Sequence, residues 1–298
     1  MTAPHNAVTT AVNAADTALA RRCHRALEPL HANIYFSPEA EQAFGELGLE
    51  PATTRYFAGR AAPMGAVGAG AVAAAFYNFN PELVAKSLPH AWSIAAPAEV
   101  VAARFDAADR TLRRLLGPAV TSEEVGEAAA LARRATEACT PEGRPLYAGH
   151  ADLDWPEQPH LALWHAVTLL REYRGDGHLM ALQTAGLSGL HALVLQITSG
   201  EGLSEQFAKA SRGWSDGQWG DAQDVLRARK LLDSRNQLTD EARELRERIE
   251  QHTDALAMAP WRHLGETDSL RLAEIGKSLS KKVAAAGAFP GHAFGSRR

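Results

Sequence analysis

The chain has 298 residues, of which 46% are hydrophobic and 22% charged, and carries a net charge of −4. That supplies core for one large domain or two ordinary ones, and the negative balance argues against a protein that coats nucleic acid, which needs a surplus of Lys and Arg. The two cysteines, Cys23 and Cys139, make no disulfide framework, no basic flank with an apolar run opens the chain, and the most apolar stretch, residues 61–79, is too rich in Gly and Ala for a membrane span. The expectation is a cytoplasmic protein with no membrane partner.

Residues 13–30 read as a helix, with Leu19, Cys23, Leu27 and Leu30 at helical spacing and Pro29 ending or kinking it. Ser37, Pro38 and Glu39 give the signature of a helix start, and another helix begins at Pro51. Residues 60–81 read as a loop and then a buried helix with small residues on its surface. Asn80, Pro81 and Glu82 start the next element. Residues 98–116 form an amphipathic helix that Gly117 and Pro118 end, and Thr121 or Ser122 caps its successor. Residues 140–159 hold four prolines and read as irregular, a natural pocket loop. A long helix follows from His160 to Tyr173. Gly175 and Gly177 interrupt it, with Asp176 as the cap of the next.

Beyond Gly186 the pattern changes. Ser215 and Gln218 form a capping box for a helix with its apolar stripe at Trp219, Ala222 and Leu226. A short polar hairpin at residues 233–239 and a charged helix from Asp240 follow. The tail past Ser278 is Gly- and Ala-rich and reads as partly disordered.

Residues 226–233 and 238–246 resemble the recognition helix, wing and following helix of MarR-like regulators. Residues 59–65, 76–81, 143–146, 163–178, 212–216 and 253–257 are similar to an actinobacterial family described only as helix-turn-helix. That resemblance spans most of residues 25–265. It implies a mainly α protein: a helical domain over residues 1–175 packed on a winged helix-turn-helix over 176–265 with one short β-hairpin, then a C-terminal helix and flexible tail over 266–298. It transfers no catalytic residues.

Chemistry concentrates at residues 165–178. In an unbroken helix His165, Thr168, Glu172 and Asp176 share one face. Three readings stay open: a satisfied core in which Glu172 pairs with an Arg, a polar ligand site, and a metal site. Arg171, Arg174 and His178 fall on the other side, as an anion site or a solvated face. Arg60 is either a clamp for a carboxylate or phosphate or the ion-pair partner of a nearby acid, Glu172 foremost, with Arg104, Arg171 and Arg174 as the other candidate partners of Glu172. Phe76, Tyr77 and Phe79 line a cavity or simply fill the core. His24 and His31, seven apart, lack a third metal ligand, and residues 65–70 lack the spacing of a dinucleotide loop.

Between residues 201 and 263 there are 10 Lys and Arg against 12 Asp and Glu, a net of −2. Asp216, Asp221 and Asp224 stand on the candidate recognition helix, where phosphates would be repelled. The favoured function is therefore small-molecule binding, for sensing or sequestration, in a pocket of Arg60, Tyr77, Trp164, His165, Glu172 and Arg174. The alternatives are an enzyme using His165 or His178 as base with Glu172, and a DNA-binding regulator, which the charge disfavours. No cofactor or metal is expected, and a homodimer is compatible with each reading.

Overall fold

The computed structural model describes residues 14–200 and 202–290, and every regular element within them is a helix. Helix α1 (Ala14–Ala32) runs through Pro29, where the sequence predicts a kink or an end. The proline falls in the last turn, where helix-end carbonyls need outside donors. The Asn33 side-chain amide supplies them, donating to the carbonyls of Pro29 and Leu30.

Five short helices follow. In α2 (Pro38–Glu46) the Ser37 hydroxyl accepts the N–H of Ala40, as its start signal predicts. Then come α3 (Ala52–Ala61), α4 (Ala69–Phe76), α5 (Pro81–Ser87), capped by the Asn80 side chain, and α6 (Ala91–Ile94). The amphipathic helix α7 (Pro97–Leu116) buries Val100, Ala107, Ala108, Leu112 and Leu115, and among them Arg104. Helix α8 (Glu123–Thr136) follows.

The central element is α10 (Pro159–Thr184), which contacts α1, α7 and α8 as well as α9 (Pro145–Ala151) and α14 (Asp240–Leu256). It is unbroken at Gly175 and Gly177, correcting the interruption read from those glycines. Each glycine costs about 1 kcal/mol in a helix interior, so packing must outweigh propensity. At Gly177 the reason is close approach: a Cβ there would stand 2.9 Å from the Arg144 guanidinium and 3.2 Å from Leu256. Asp176 does not cap a following helix. Its carboxylate accepts the N–H groups of Leu146 and Tyr147 at 3.1 and 2.9 Å and so caps α9 (Pro145–Ala151), a helix within the stretch read as irregular.

Beyond α10 lie α11 (Gly189–Thr198), α12 (Glu205–Arg212), α13 (Asp216–Ala228) and α14 (Asp240–Leu256). Gly213, in the left-handed conformation, turns α12 into α13, and the Ser215–Gln218 capping box forms as expected. Between α13 and α14 the described residues form no strand. A single antiparallel bridge joins Leu232 to Leu238. The turn is held instead by the Asp233 carboxylate, which accepts the N–H of Arg235 and of Gln237, both at 2.8 Å.

Helices α15 (Ala259–Leu264) and α16 (Glu266–Ala285) complete the chain. The sequence places disorder past Ser278, yet α16 continues to Ala285 because Leu272, Ile275, Leu279 and Val283 are buried where it packs on α1. The rest of that tail, 291–298, lies outside the described residues.

Apolar side chains gather in two main clusters, one spanning α1 to the first half of α10 with α15 and α16, the other spanning the end of α10 through α14. The boundary read between residues 175 and 176 therefore falls inside a helix that serves both. The two parts are locked where the backbone at Tyr77–Asn80 docks on the α12–α13 turn. Asn80 N–H donates to Arg212 O at 2.9 Å, and the Trp214 indole N–H donates to Asn78 O at 2.9 Å.

Candidate functional site

The unbroken α10 puts His165, Thr168, Glu172 and Asp176 on one buried face. Glu172 is fully buried, and its Oε2 meets the guanidiniums of Arg60 at 3.1 Å and Arg171 at 2.7 Å. Arg60 is the partner that the sequence put first. Burial alone would raise the Glu172 pKa; Arg171 and Arg60 outweigh it and hold the carboxyl well below its usual range. The second oxygen, Oε1, has no hydrogen-bond partner.

Around this pair lies a shell of neutral polar groups. The Thr168 hydroxyl donates to Trp164 O at 2.8 Å, so it accepts from His31 Nδ1 at 3.0 Å. His31 Nε2 is then left to accept from the Tyr35 hydroxyl at 2.9 Å. The Tyr56 hydroxyl lies 3.4 Å from Arg60. Burial would raise the Tyr56 phenol, but Arg60, Arg212 and Arg171 outweigh it and lower its pKa. His31 and His150 are pushed well below the usual histidine range, chiefly by burial, with Arg171 and Arg104 adding to it respectively.

His165 is buried but stands apart from Glu172. Its ring packs on Trp155 and Phe105 with centroids at 4.8 and 5.7 Å, and neither ring nitrogen has a partner. Burial, with Arg104 and Arg133 nearby, lowers its pKa to about 4. Trp164 stacks against His31 at 6.5 Å and lies under the Arg104 guanidinium at 5.1 Å.

The network meets open space on two sides. A cavity of about 230 Å³ is lined by Tyr35, Phe36, Phe44, Tyr56, Arg60 and Arg104. A cleft of about 1040 Å³ between α1, α10, α11 and α14 is lined by Arg171, Arg174, His178 and Tyr77 among others. The six residues expected to share one pocket are thus divided. Arg60 borders the cavity, Tyr77 and Arg174 border the cleft, and Trp164, His165 and Glu172 line neither. Tyr77 donates its hydroxyl to Leu187 O at 2.6 Å and packs with the second apolar cluster. Arg174 is held by Glu250 at 3.0 Å and Asp254 at 2.7 Å, and His178 Nδ1 lies 2.9 Å from the Thr253 hydroxyl. Neither His165 nor His178 is hydrogen-bonded to a carboxylate. Among the described residues no group of three His, Cys, Asp or Glu is placed to hold a metal.

Tyr35, Tyr56 and His150 escaped the sequence reading, and Arg104, expected as another partner for Glu172, donates instead to Gly59 O at 2.8 Å. A signal for Arg104 was present, because it takes a position on the apolar stripe of α7 between Val100 and Ala108.

On the other face, α13 exposes Asp216, Asp221 and Asp224. The cations near it are largely occupied: Lys209 pairs with Glu205 and Asp216, Arg227 with Asp224, and Arg229 donates to the carbonyls of Gly186 and Ala185. Both thiols are buried or half-buried, and burial pushes each up to about 12. No single helix among the described residues is long and apolar enough to cross a membrane.

No curated protein and no solved structure matches the chain. A family model described as the helix-turn-helix family matches residues 20–290, over a framework that is helical throughout, and the chain belongs to that helix-turn-helix family.

Proposed function

We propose that the chain binds a small molecule in the cavity at Arg60 and acts by sensing or sequestering it. One observation carries this reading: the buried Arg60–Glu172–Arg171 network borders an open cavity at Arg60. Buried ion pairs are poor sources of stability, since desolvation offsets most of their attraction. A pair that opens onto a cavity is therefore better explained by recognition. We assign residues 1–175 to a helical domain, 176–265 to a winged helix-turn-helix and 266–298 to a C-terminal helix and tail, with α10 as the shared spine. His165 and His178 lack the carboxylate partner that would orient a general base, so binding is preferred to catalysis.

The test is thermal stability against a panel of small metabolites. Ala52 is exposed at the cavity wall and lies outside the ion-pair network. Ala52→Trp should fill the mouth and abolish a ligand response that the wild type shows. A response equal in both proteins would sink the assignment.

Family membership favours a second reading, a DNA-binding regulator in which the α12–α13 unit faces the duplex. In that case the cavity ligand would set DNA affinity, and a gel-shift titration with genomic fragments, with and without ligand, measures it.

A further inference from the structure

We infer that the cavity takes a singly charged organic carboxylate, its oxyanion held by Arg104 and its apolar body laid against Phe36 and Phe44. This rests on the binding reading above and names the chemistry of the ligand.

Arg104 is 3% exposed, forms no ion pair among the described residues, and borders the cavity. One of its nitrogens, Nη1, donates to Gly59 O at 2.8 Å, while Nε and Nη2 are buried with no partner at all. The ring of Trp164 beneath it offers a quadrupole, not a counter-charge. A buried guanidinium in this position is an expensive arrangement unless something negative completes it.

The neighbouring groups do not complete it. Arg60 and Arg171 share one carboxylate, Glu172. Glu28 lies on the far side of Arg171, at 3.8 Å, facing the cleft. His31, His150 and His165 are neutral and bring no negative charge. Arg104 is therefore left without a carboxylate of its own. The rest of the wall is mixed: Ile34, Phe36, Ala40 and Phe44 are apolar, Arg55 is already paired with Glu41 and Glu50, and about 230 Å³ of space suits a small body better than a nucleotide. A planar carboxylate matches two guanidinium donors side by side.

The experiment compares matched acids and amides at constant ionic strength: benzoate against benzamide, hexanoate against hexanamide, with phenyl phosphate for the doubly charged alternative. Melting temperature and calorimetric affinity are measured for wild type, Arg104→Met and Ala52→Trp. The expected result is a saturable rise in melting temperature with the acids and none with the amides. Arg104→Met should melt no lower than the ligand-free wild type, because it removes an uncompensated buried charge, and should lose at least tenfold in acid affinity. Should that variant fail to fold, Arg104→Lys, which keeps the charge but not the paired donors, enters the same titration with the same loss expected. Amides binding as well as acids, or acid affinity unchanged in the Arg104 variant, overturn the carboxylate while leaving the cavity reading intact. Phenyl phosphate binding more tightly than benzoate overturns the singly charged class. Silence of wild type toward every acid overturns the inference, and a ligand response from the metabolite panel still lost in Ala52→Trp would show that the cavity reading survives it.

Discussion

At the scale of single residues the interior is governed by one carboxylate. Glu172 is shared by two guanidiniums, so Glu172→Gln leaves Arg60 and Arg171 without the charge that lies between them. Breaking one side of a buried pair costs about 3–5 kcal/mol. That loss is expected in urea titration, and Arg60→Met/Glu172→Gln should recover part of it. A Glu172→Gln protein as stable as wild type would refute the network. The buried histidines fix the pH response. The unfolded chain takes up histidine protons near pH ~6.5. Folded His165 takes one up only at about 4, and folded His31 and His150 also far below the usual range. Between those values the unfolded state binds more protons, so stability falls as pH drops below ~6.5, by up to ~1.4 kcal/mol per pH unit for each histidine. Glu172, with its pKa lowered, adds a separate loss below pH ~4.3. Asp176, raised by burial to about 6, takes up a proton in the folded state within this window and offsets one histidine's share. With three histidines opposing it, the melting temperature should still decline between pH ~7 and ~5, and His165→Phe should flatten that slope. A profile level across that range would contradict neutral burial.

At the scale of elements, periodicity and caps were legible and long-range packing was not. Ser37, Asn80 and Ser215 each mark a helix start by a side chain that accepts a nearby backbone N–H, a wholly local event. Gly175 and Gly177 misled because local propensity argues for a break. The reason for Gly177 is Arg144 and Leu256, which are distant in sequence. The same holds for Asp176, whose partners at the start of α9 lie about 30 residues back. Gly189 is the sharper case. A Cβ there would stand 1.8 Å from Tyr77 O, so α11 begins in direct backbone contact with the 77–78 linker. Gly189→Ala forces that linker away, and overpacking of this kind costs about 1–3 kcal/mol. The expected readout is a lower melting temperature with faster proteolysis near the linker. A gain in stability, which helix propensity alone predicts, would mean that the contact yields easily.

At the scale of the whole molecule, the mainly helical architecture could be read from the sequence, and so could the pairing of Arg60 with Glu172. The grouping of six residues into one pocket could not, because α10 reaches the cleft only by the face carrying Arg171, Arg174 and His178, while Trp164, His165 and Glu172 lie in the interior and the cavity is lined by Arg60 of α3 and Arg104 of α7. The same scale decides how the helix-turn-helix is used. If α13 entered a major groove, Asp216, Asp221 and Asp224 would approach phosphates, while Arg227 and Arg229 are already engaged within the protein. Affinity for DNA at physiological salt comes largely from cations that displace counterions. Wild type should therefore bind random duplex DNA no more tightly than ~10⁻⁶ M, with a shallow dependence on salt. Reversing charge in Asp216→Lys/Asp221→Lys/Asp224→Lys should tighten binding and steepen the salt slope if α13 is the face that approaches DNA. Fluorescence anisotropy across a salt series measures both quantities. Sub-micromolar binding by wild type that strengthens steeply as salt falls would show that a basic face elsewhere makes the contact. An unchanged slope in the triple variant would place α13 away from any duplex and leave the unit to hold the cavity-bearing helices together.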